Sequence, residues 1–408
     1  MTFDSRAAIS SQAALPHVDS PNLFHISIAL FLAGFSTFSL IYCVQPLLPE
    51  FSRDFALTPA TSSLALSVTT GCLAVSIMLA GALSEALGRR GLMFFSISGA
   101  AVLNLLAAMA PTWHLMLVAR ALEGFVLGGV PAVAMAYLSE EVPHERLGRI
   151  MGLYVGGTAF GGMIGRVAIG GLTEFLSWRA AMGTLAGLTF VAAVAFVWLL
   201  PPSTKFKRQP GLNIGTHLSA WGRHLRNPAL PPFFLLGFLS MGAFVTVYNY
   251  LGYRLLGAPF LLSQTQIGLV FLSYIFGMLA SPLSGALADR FGRPRVLAAG
   301  ALVSMTGLLA TLSGGLPLII VGVVVLTIGF FIVHSVSSGA VGKLAQGHKG
   351  HASSLYLLAY YAGSSVMGSV GGSVWRHGEW HGVVAFSGAL MAIALCVAIA
   401  LQRRPATA

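Results

Sequence analysis

Gly81-Ala82-Leu83-Ser84-Glu85-Ala86-Leu87-Gly88-Arg89-Arg90 returns, little changed, 204 residues later as Gly285-Ala286-Leu287-Ala288-Asp289-Arg290-Phe291-Gly292-Arg293. Both copies read Gly-x-Leu-x-acid and then Gly-Arg, and both sit between two long apolar runs. A short charged hairpin repeated inside so apolar a chain predicts a duplicated membrane protein. A second echo agrees: Ser177-Trp178-Arg179 and Glu379-Trp380-His381 lie 202 residues apart.

Working outward from the hairpins, the apolar runs cover about 26–48, 61–83, 92–110, 115–138, 147–175 and 180–200. After a polar stretch come about 232–255, 265–287, 295–313, 316–341, 353–375 and 383–401. Runs near twenty residues are the length of a bilayer-spanning helix. The expected fold is all-α and integral to the membrane, with twelve spans in two pseudo-symmetric six-helix bundles. An even number of spans per copy makes the copies parallel, related by an axis along the membrane normal. The expected segments are a tail over 1–25, a first bundle over 26–200, a basic linker over 201–231, a second bundle over 232–402 and a tail over 403–408. The first apolar run is expected to stay as a helix, since no small-residue cleavage pattern follows it. Leu218, Trp221 and Leu225, spaced i, i+3 and i+7, give the linker an amphipathic helical stripe beside Arg223 and Arg226.

Composition points the same way. Hydrophobic residues make up 56% of the 408 and charged residues only 9%, with mean hydropathy +0.82; a soluble globule carries roughly a quarter charged residues. The net charge of +11 comes from lysines and arginines in short connections rather than on one face, so nucleic acid is not an expected partner. With even spans, 17 of the 23 basic residues fall on the side holding both termini and the hairpins, and Arg53, Arg179, Arg254 and Arg376 fall on the other. The positive-inside rule then puts both termini in the cytoplasm, which for a bacterial chain means the inner membrane. Cys43, Cys72 and Cys396 all lie in apolar runs, so neither a disulfide framework nor a metal site is expected.

Three charged residues fall well inside spans: Arg120, Glu123 and Arg166. Charges at such depth are costly and turn toward a bundle interior or a cavity. Arg120 and Glu123, at i and i+3, can meet on one helix face. At 1.5 Å per residue they lie about 9 Å and about 13 Å below the outer end of their span, and Arg166 lies about 9 Å below the outer end of the next. Tyr42 and Gln45 fall near the same depth. Two interpretations stay open here. Either Arg120 and Glu123 neutralise one another, or the three line a central cavity, with Glu123 as proton carrier beside Arg120 and Arg166 as substrate ligand. In the second half the polar candidates for that cavity are Asn249, His334, Tyr356 and Tyr360. The histidine is as compatible with a bonded core position, and the tyrosines with helix packing. Gly157-x3-Gly161-x3-Gly165 forms a small-residue ridge for close helix approach.

On these residues the chain resembles the major facilitator superfamily from about 26 to 402. The hairpins match its loop motif Gly-x-Leu-x-Asp-x-x-Gly-Arg-Arg/Lys, with Glu85 at the acidic place of the first copy. The resemblance implies a cytoplasmic gate at Gly81, Glu85, Gly88, Arg89, Arg90, Gly285, Asp289, Gly292 and Arg293. Arg120-x-x-Glu123-Gly124 is similar to the family's Arg-x-x-Gln-Gly motif, tied to proton transfer. The glycine ridge resembles the drug/proton antiporter motif Gly-x3-Gly-x3-Gly-Pro, with Arg166 at the proline place. Tyr42-Cys43-Val44-Gln45-Pro46 and Pro131-Ala132-Val133-Ala134-Met135 look like the acriflavine-sensitivity branch of bacterial exporters. The resemblance implies proton-coupled efflux of a drug or metabolite by a monomer that needs no cofactor.

The alternatives are a carrier of a small organic anion or sugar using the intramembrane arginines, or a receptor or channel on a transporter-like fold. An enzyme is not expected: no metal-ligand spacing, nucleophile elbow or phosphate-binding loop appears.

Overall fold

The computed structural model of the chain describes residues 22–203 and 214–403, without the side chains at 82, 85–87, 144 and 214. Residues 1–21 of the tail expected over 1–25, residues 404–408 of the tail expected over 403–408, linker residues Lys205, Lys207 and Arg208, and the Glu85 side chain lie outside the described residues.

The first half holds α1 (Leu23–Tyr42), α2 (Leu48–Asp54), α3 (Pro59–Ser62), α4 (Leu64–Leu87), α5 (Arg89–Met109), α6 (Trp113–Leu127), α7 (Gly129–Glu141), α8 (His144–Phe175) and α9 (Trp178–Leu199). A connecting helix α10 (Ile214–Arg226) leads to α11 (Pro231–Leu256), α12 (Gln264–Val270), α13 (Tyr274–Phe291), α14 (Arg293–Ala310), α15 (Leu316–Leu344) and α16 (Lys349–Gln402). Side-chain caps start several of them. Thr112, Ser177 and Ser263 accept from their own first turns, and Ser263 with Gln266 closes a capping box.

Among the described residues, nine stretches are long and apolar enough to cross a membrane. One is α16, whose 54 residues would extend about 80 Å as a straight helix, far beyond a hydrocarbon core of about 30 Å. It folds back at Glu379, where φ is 45° and ψ −135°. Counting its two arms, and adding α8 and α14, gives the twelve spans expected. Phe95, Val102, Leu106 and Met109 leave one face of α5 apolar and exposed, as lipid contact requires.

The two halves repeat one another in detail. Gly88 between α4 and α5 has φ 91° and Gly292 between α13 and α14 has φ 87°, a backbone region open to glycine. Each hairpin therefore reverses on the same residue. A Cβ on Gly161 of α8 would fall inside 3.0 Å of the Phe35 carbonyl of α1; one on Gly363 of α16 would do the same to Phe238 of α11. Gly170 of α8 approaches Gly268 of α12, and its counterpart 202 residues on, Gly372 of α16, approaches Ala60 of α3.

Where the elements depart from expectation, the backbone explains it. The first span stops at Tyr42 rather than 48, because Pro46 and Pro49 supply no backbone N–H, and α2 follows as an extra short helix. Helix persists through Ser139–Glu141 and resumes at His144, so the charged connection shrinks to Val142 and Pro143. The second span breaks at Ser63, the fourth at Gly128, and the eighth passes through a 3-10 turn at Phe271–Ser273. In α10, Leu218 and Leu225 are exposed as the stripe requires, yet Trp221 turns to protein and donates to Ser354 Oγ of α16 at 3.1 Å.

Three apolar cores result, and their placement sets the shape. One, with Ile26, Met93, Leu138 and Phe196, belongs to the first half alone, at the end bearing the charged hairpins. A second, with Phe234, Val296, Val341 and Leu355, has all its buried members in the second half at the same end, with Met78 of α4 packed against it from the first half. The third lies at the opposite, far end and joins both halves, with Leu40, Leu73 and Met116 packed in one body with Val245, Ile267 and Val383. The halves are fused at the far end and carry separate cores at the hairpin end.

Candidate functional site

The site is built around the place where α1 breaks. A helix leaves its last four carbonyls without intrahelical partners, and α1 ends inside the protein. Arg120 of α6 supplies the missing donors. Its Nη1 donates to the Leu40 carbonyl at 3.1 Å, its Nη2 to Ile41 at 2.7 Å and its Nε to the Ala65 carbonyl of α4 at 3.2 Å. Nη1 also donates to Glu123 Oε2 at 2.7 Å. Both side chains are fully buried, and Glu123 Oε1 has no partner. Arg120 thus clasps three helices with each guanidinium nitrogen engaged, while Glu123 balances its charge and keeps one free oxygen.

On the other flank of the break stands Arg166 of α8, 1% exposed. Its Nε donates to Gln45 Oε1 at 2.7 Å and its Nη1 to the Gly162 carbonyl one turn back. Tyr42 lies 4.1 Å from the guanidinium carbon, and Tyr274 and Phe271 of the second half lie 4.9 and 5.1 Å away. Gln45 Nε2 donates in turn to Asn249 Oδ1 of α11 at 2.7 Å. Gln45 and Asn249 are 204 residues apart, the same offset as the hairpins, so each is bonded to its own counterpart across the pseudo-twofold axis.

His334 of α15 and Tyr356 and Tyr360 of α16 form a second group. His334 Nδ1 and Tyr356 Oη lie 2.9 Å apart, and the Tyr356 hydroxyl also reaches the His334 carbonyl at 3.2 Å. The His334 ring sits 4.7 Å from Tyr360 and stacks on Phe330, which stacks on Phe244 at 3.8 Å. Tyr356 is buried, whereas His334 and Tyr360 are half-buried. Tyr274, edge-on to Phe244 and Phe331, joins this aromatic wall to the Arg166 cluster. Composition gave no reason to single out Phe244, Phe271, Tyr274 or Phe330 among 26 phenylalanines and 10 tyrosines. Asn249 was the readable one, through its offset from Gln45.

At the hairpins, Arg89 grips Glu140 of α7 with both ends of its fork, at 2.6 and 3.2 Å, and also donates to Ser84 Oγ. Arg90 donates to the Val197 carbonyl. In the second copy Lys343 of α15 donates to Asp289 at 2.9 Å. The two ion pairs, Arg89–Glu140 and Lys343–Asp289, each tie a hairpin to the fourth span of its own half, with the signs reversed between copies. Arg293 opens α14 half-buried, and a Cβ on Gly285 would meet nothing within 4 Å.

At the far end the halves are stitched by polar contacts that the sequence did not announce. Tyr253 donates to the Leu48 carbonyl at 2.8 Å and shares a bond with Ser52 at 2.7 Å. Gln264 donates to Glu50 at 2.9 Å, Thr265 to Glu174 at 3.1 Å, and Ser365 to the Ser67 carbonyl at 2.7 Å.

Two six-span bundles meeting over a buried polar seam define a multi-pass membrane transport protein. The chain belongs to the major facilitator superfamily, whose family model matches residues 30–263 and again 248–408. It is 43% identical over 385 residues to the inner membrane transport protein YnfM of Escherichia coli (strain K12), covering 94% of this chain and 92% of that one. It is 42% identical over 384 residues to the uncharacterized MFS-type transporter YybF of Bacillus subtilis (strain 168), covering 94% and 95%. Among solved structures, a point mutant of the nucleoside transporter NupG superposes with TM-score 0.76 at 17% identity, covering 93% and 100%. A bacterial homolog of the human lysosomal transporter Spinster, inward-facing and unoccupied, gives 0.75 at 14%, covering 95% and 99%.

Proposed function

We propose that the chain is a proton-coupled secondary carrier of a small molecule that works by alternating access. The halves rock about the Gln45–Asn249 contact, with the hairpin end in the cytoplasm. One observation carries this reading: the two halves share a core and polar stitches at the far end and keep separate cores at the hairpin end. A rigid rotation of one half about the seam exchanges the open end, as carriers built from repeats do. The 17-to-4 distribution of lysine and arginine supports a cytoplasmic hairpin end, which puts the separate cores on the cytoplasmic side. The likeness of the α8 ridge to antiporters supports the exporting direction.

Spin labels at Ala56 and Leu261 report the far end, and labels at Leu83 and Lys349 the hairpin end; all four positions are exposed. Distances measured in nanodiscs are expected to change reciprocally, one pair lengthening as the other shortens. Immobile distances, or both ends open together as in a channel, would sink the carrier reading.

Glu123 is the proposed proton site because it is the acid inside the bundle, and its Oε1 has no acceptor or donor to hold it. The proton would add at that oxygen and weaken the pull on Arg120, loosening the clasp on α1. Wild-type distances are therefore expected to shift between acidic and alkaline buffer, and Glu123→Gln, which keeps the acceptor facing Arg120, to abolish the shift. An undiminished response in Glu123→Gln would remove this residue from the coupling.

A further inference from the structure

We infer that the group recognised by this carrier is a carboxylate borne on a flat apolar body, and that Arg166 is the residue that holds it; the inference rests on the carrier reading above. Arg166 is 1% exposed, and its guanidinium is a donor-only cation. The ion pairs formed among the described residues engage other side chains, and none reaches it. Its neighbours are dipoles and ring faces: Gln45 Oε1, the Gly162 carbonyl, Tyr42, Phe271 and Tyr274. These orient a guanidinium without neutralising it, and an unneutralised buried charge is the costly case. An anion completes the site.

The hydrogen-bond inventory says which kind. Arginine only donates, so the Gln45 atom facing Nε is Oε1, and Nε2 is left to face Asn249. Nε2 in turn requires Oδ1 there, so Asn249 Nδ2 points away. Both amide oxygens are then used. Among the described residues the hydrogen bonds of Arg166 run from Nε and Nη1, which leaves Nη2 spare at one end of the relay, and the buried Asn249 Nδ2 has no partner at the other. Spare capacity made only of donors fits a ligand that only accepts, such as a carboxylate. Arg120 does not compete, since Nε, Nη1 and Nη2 are all engaged by Ala65, Leu40, Glu123 and Ile41.

Placement supports a transported ligand rather than a structural ion. The cage draws Tyr42 and Gln45 from one half and Phe271 and Tyr274 from the other, so rocking must open it. The counterpart of Arg166 at the 202-residue offset is Gly368, so the charge is held off the axis by one half alone. The aromatic wall beyond Tyr274 offers stacking faces for a planar ligand, and the same guanidinium repels a cationic one.

Purified protein in nanodiscs, titrated with sodium benzoate, benzamide and benzylammonium chloride and followed by calorimetry and thermal midpoint, tests this. Benzoate is expected to bind and raise the midpoint, while its neutral and cationic analogues do not. Arg166→Gln is expected to weaken benzoate about tenfold or more, the loss of a charge-assisted hydrogen bond. Arg166→Lys is expected to retain part of the affinity. Should Arg166→Gln fail to fold, the ranking of the three probes on the wild-type protein decides. Binding of benzylammonium or benzamide as tight as benzoate, no binding of benzoate, or benzoate affinity unchanged in folded Arg166→Gln would each overturn the assignment. Reciprocal label distances without benzoate binding would leave the carrier standing and remove the substrate class. Benzoate binding with immobile distances would do the reverse.

Discussion

Arg120→Ala is expected to destabilise this protein by about 3–5 kcal/mol, the effect of breaking a buried ion pair by removing one partner. The substitution strips Glu123 of the one donor on its carboxylate among the described residues and leaves that acid fully buried with two bare oxygens. It also removes donors from the Leu40 and Ile41 carbonyls at the end of α1 and from Ala65 at the start of α4. The loss is therefore electrostatic and mechanical together, because one planar fork spans three helices. Arg120→Lys is expected to recover only part, since a point charge cannot reach all the acceptors at once. The double change Arg120→Met with Glu123→Leu is expected to be milder than Arg120→Ala, as removing both charges leaves no uncompensated ion. Thermal midpoints of the purified variants decide. A midpoint for Arg120→Ala equal to wild type would mean the clasp holds nothing.

Gly161→Leu and Gly363→Leu are expected to disrupt folding equally, each in its own half. At both positions even a Cβ would collide with a backbone carbonyl of the partner helix, Phe35 in one case and Phe238 in the other. Backbone cannot yield as a side chain does, so the cost belongs at the upper end of, or above, the about 1–3 kcal/mol typical of overpacking. Gly156 lies on the same helix as Gly161 with nothing within 4 Å of an added Cβ, and Gly156→Leu is expected to be near neutral. Monodisperse yield by size-exclusion chromatography measures all three. A well-folded Gly161→Leu would show that α1 and α8 need not touch.

The sequence made the repeat legible because each hairpin concentrates its constraints locally. Gly88 and Gly292 must take positive φ, and charged residues must surface between apolar runs, so both copies keep the same letters. The glycine ridge was legible for a similar reason, since close backbone approach tolerates no side chain. The break of α1 was harder. Pro46 and Pro49 announced an end, but not that the end would lie buried and be capped from another helix by Arg120. The return between the last two spans was legible, since the apolar runs part between Trp375 and Val383; what was hidden is that helix continues to either side of Glu379, whose backbone alone makes the turn. Aromatic neighbours of Arg166 carried no local signal at all, since phenylalanine and tyrosine pack in any apolar core.

By itself, then, the order of residues determined the twelve spans, the duplication and the three charges placed within them. Periodicity, charge sign and glycine demands act along the chain and need no partner. Only tertiary structure decided that Arg120 is a helix clasp with each guanidinium nitrogen engaged while Arg166 keeps a spare nitrogen and, among the described residues, no counter-ion. Those two arginines differ only in what other helices bring within hydrogen-bond reach, across separations of 55–80 residues for the clasp and 121 for Gln45, and no local pattern records such neighbours.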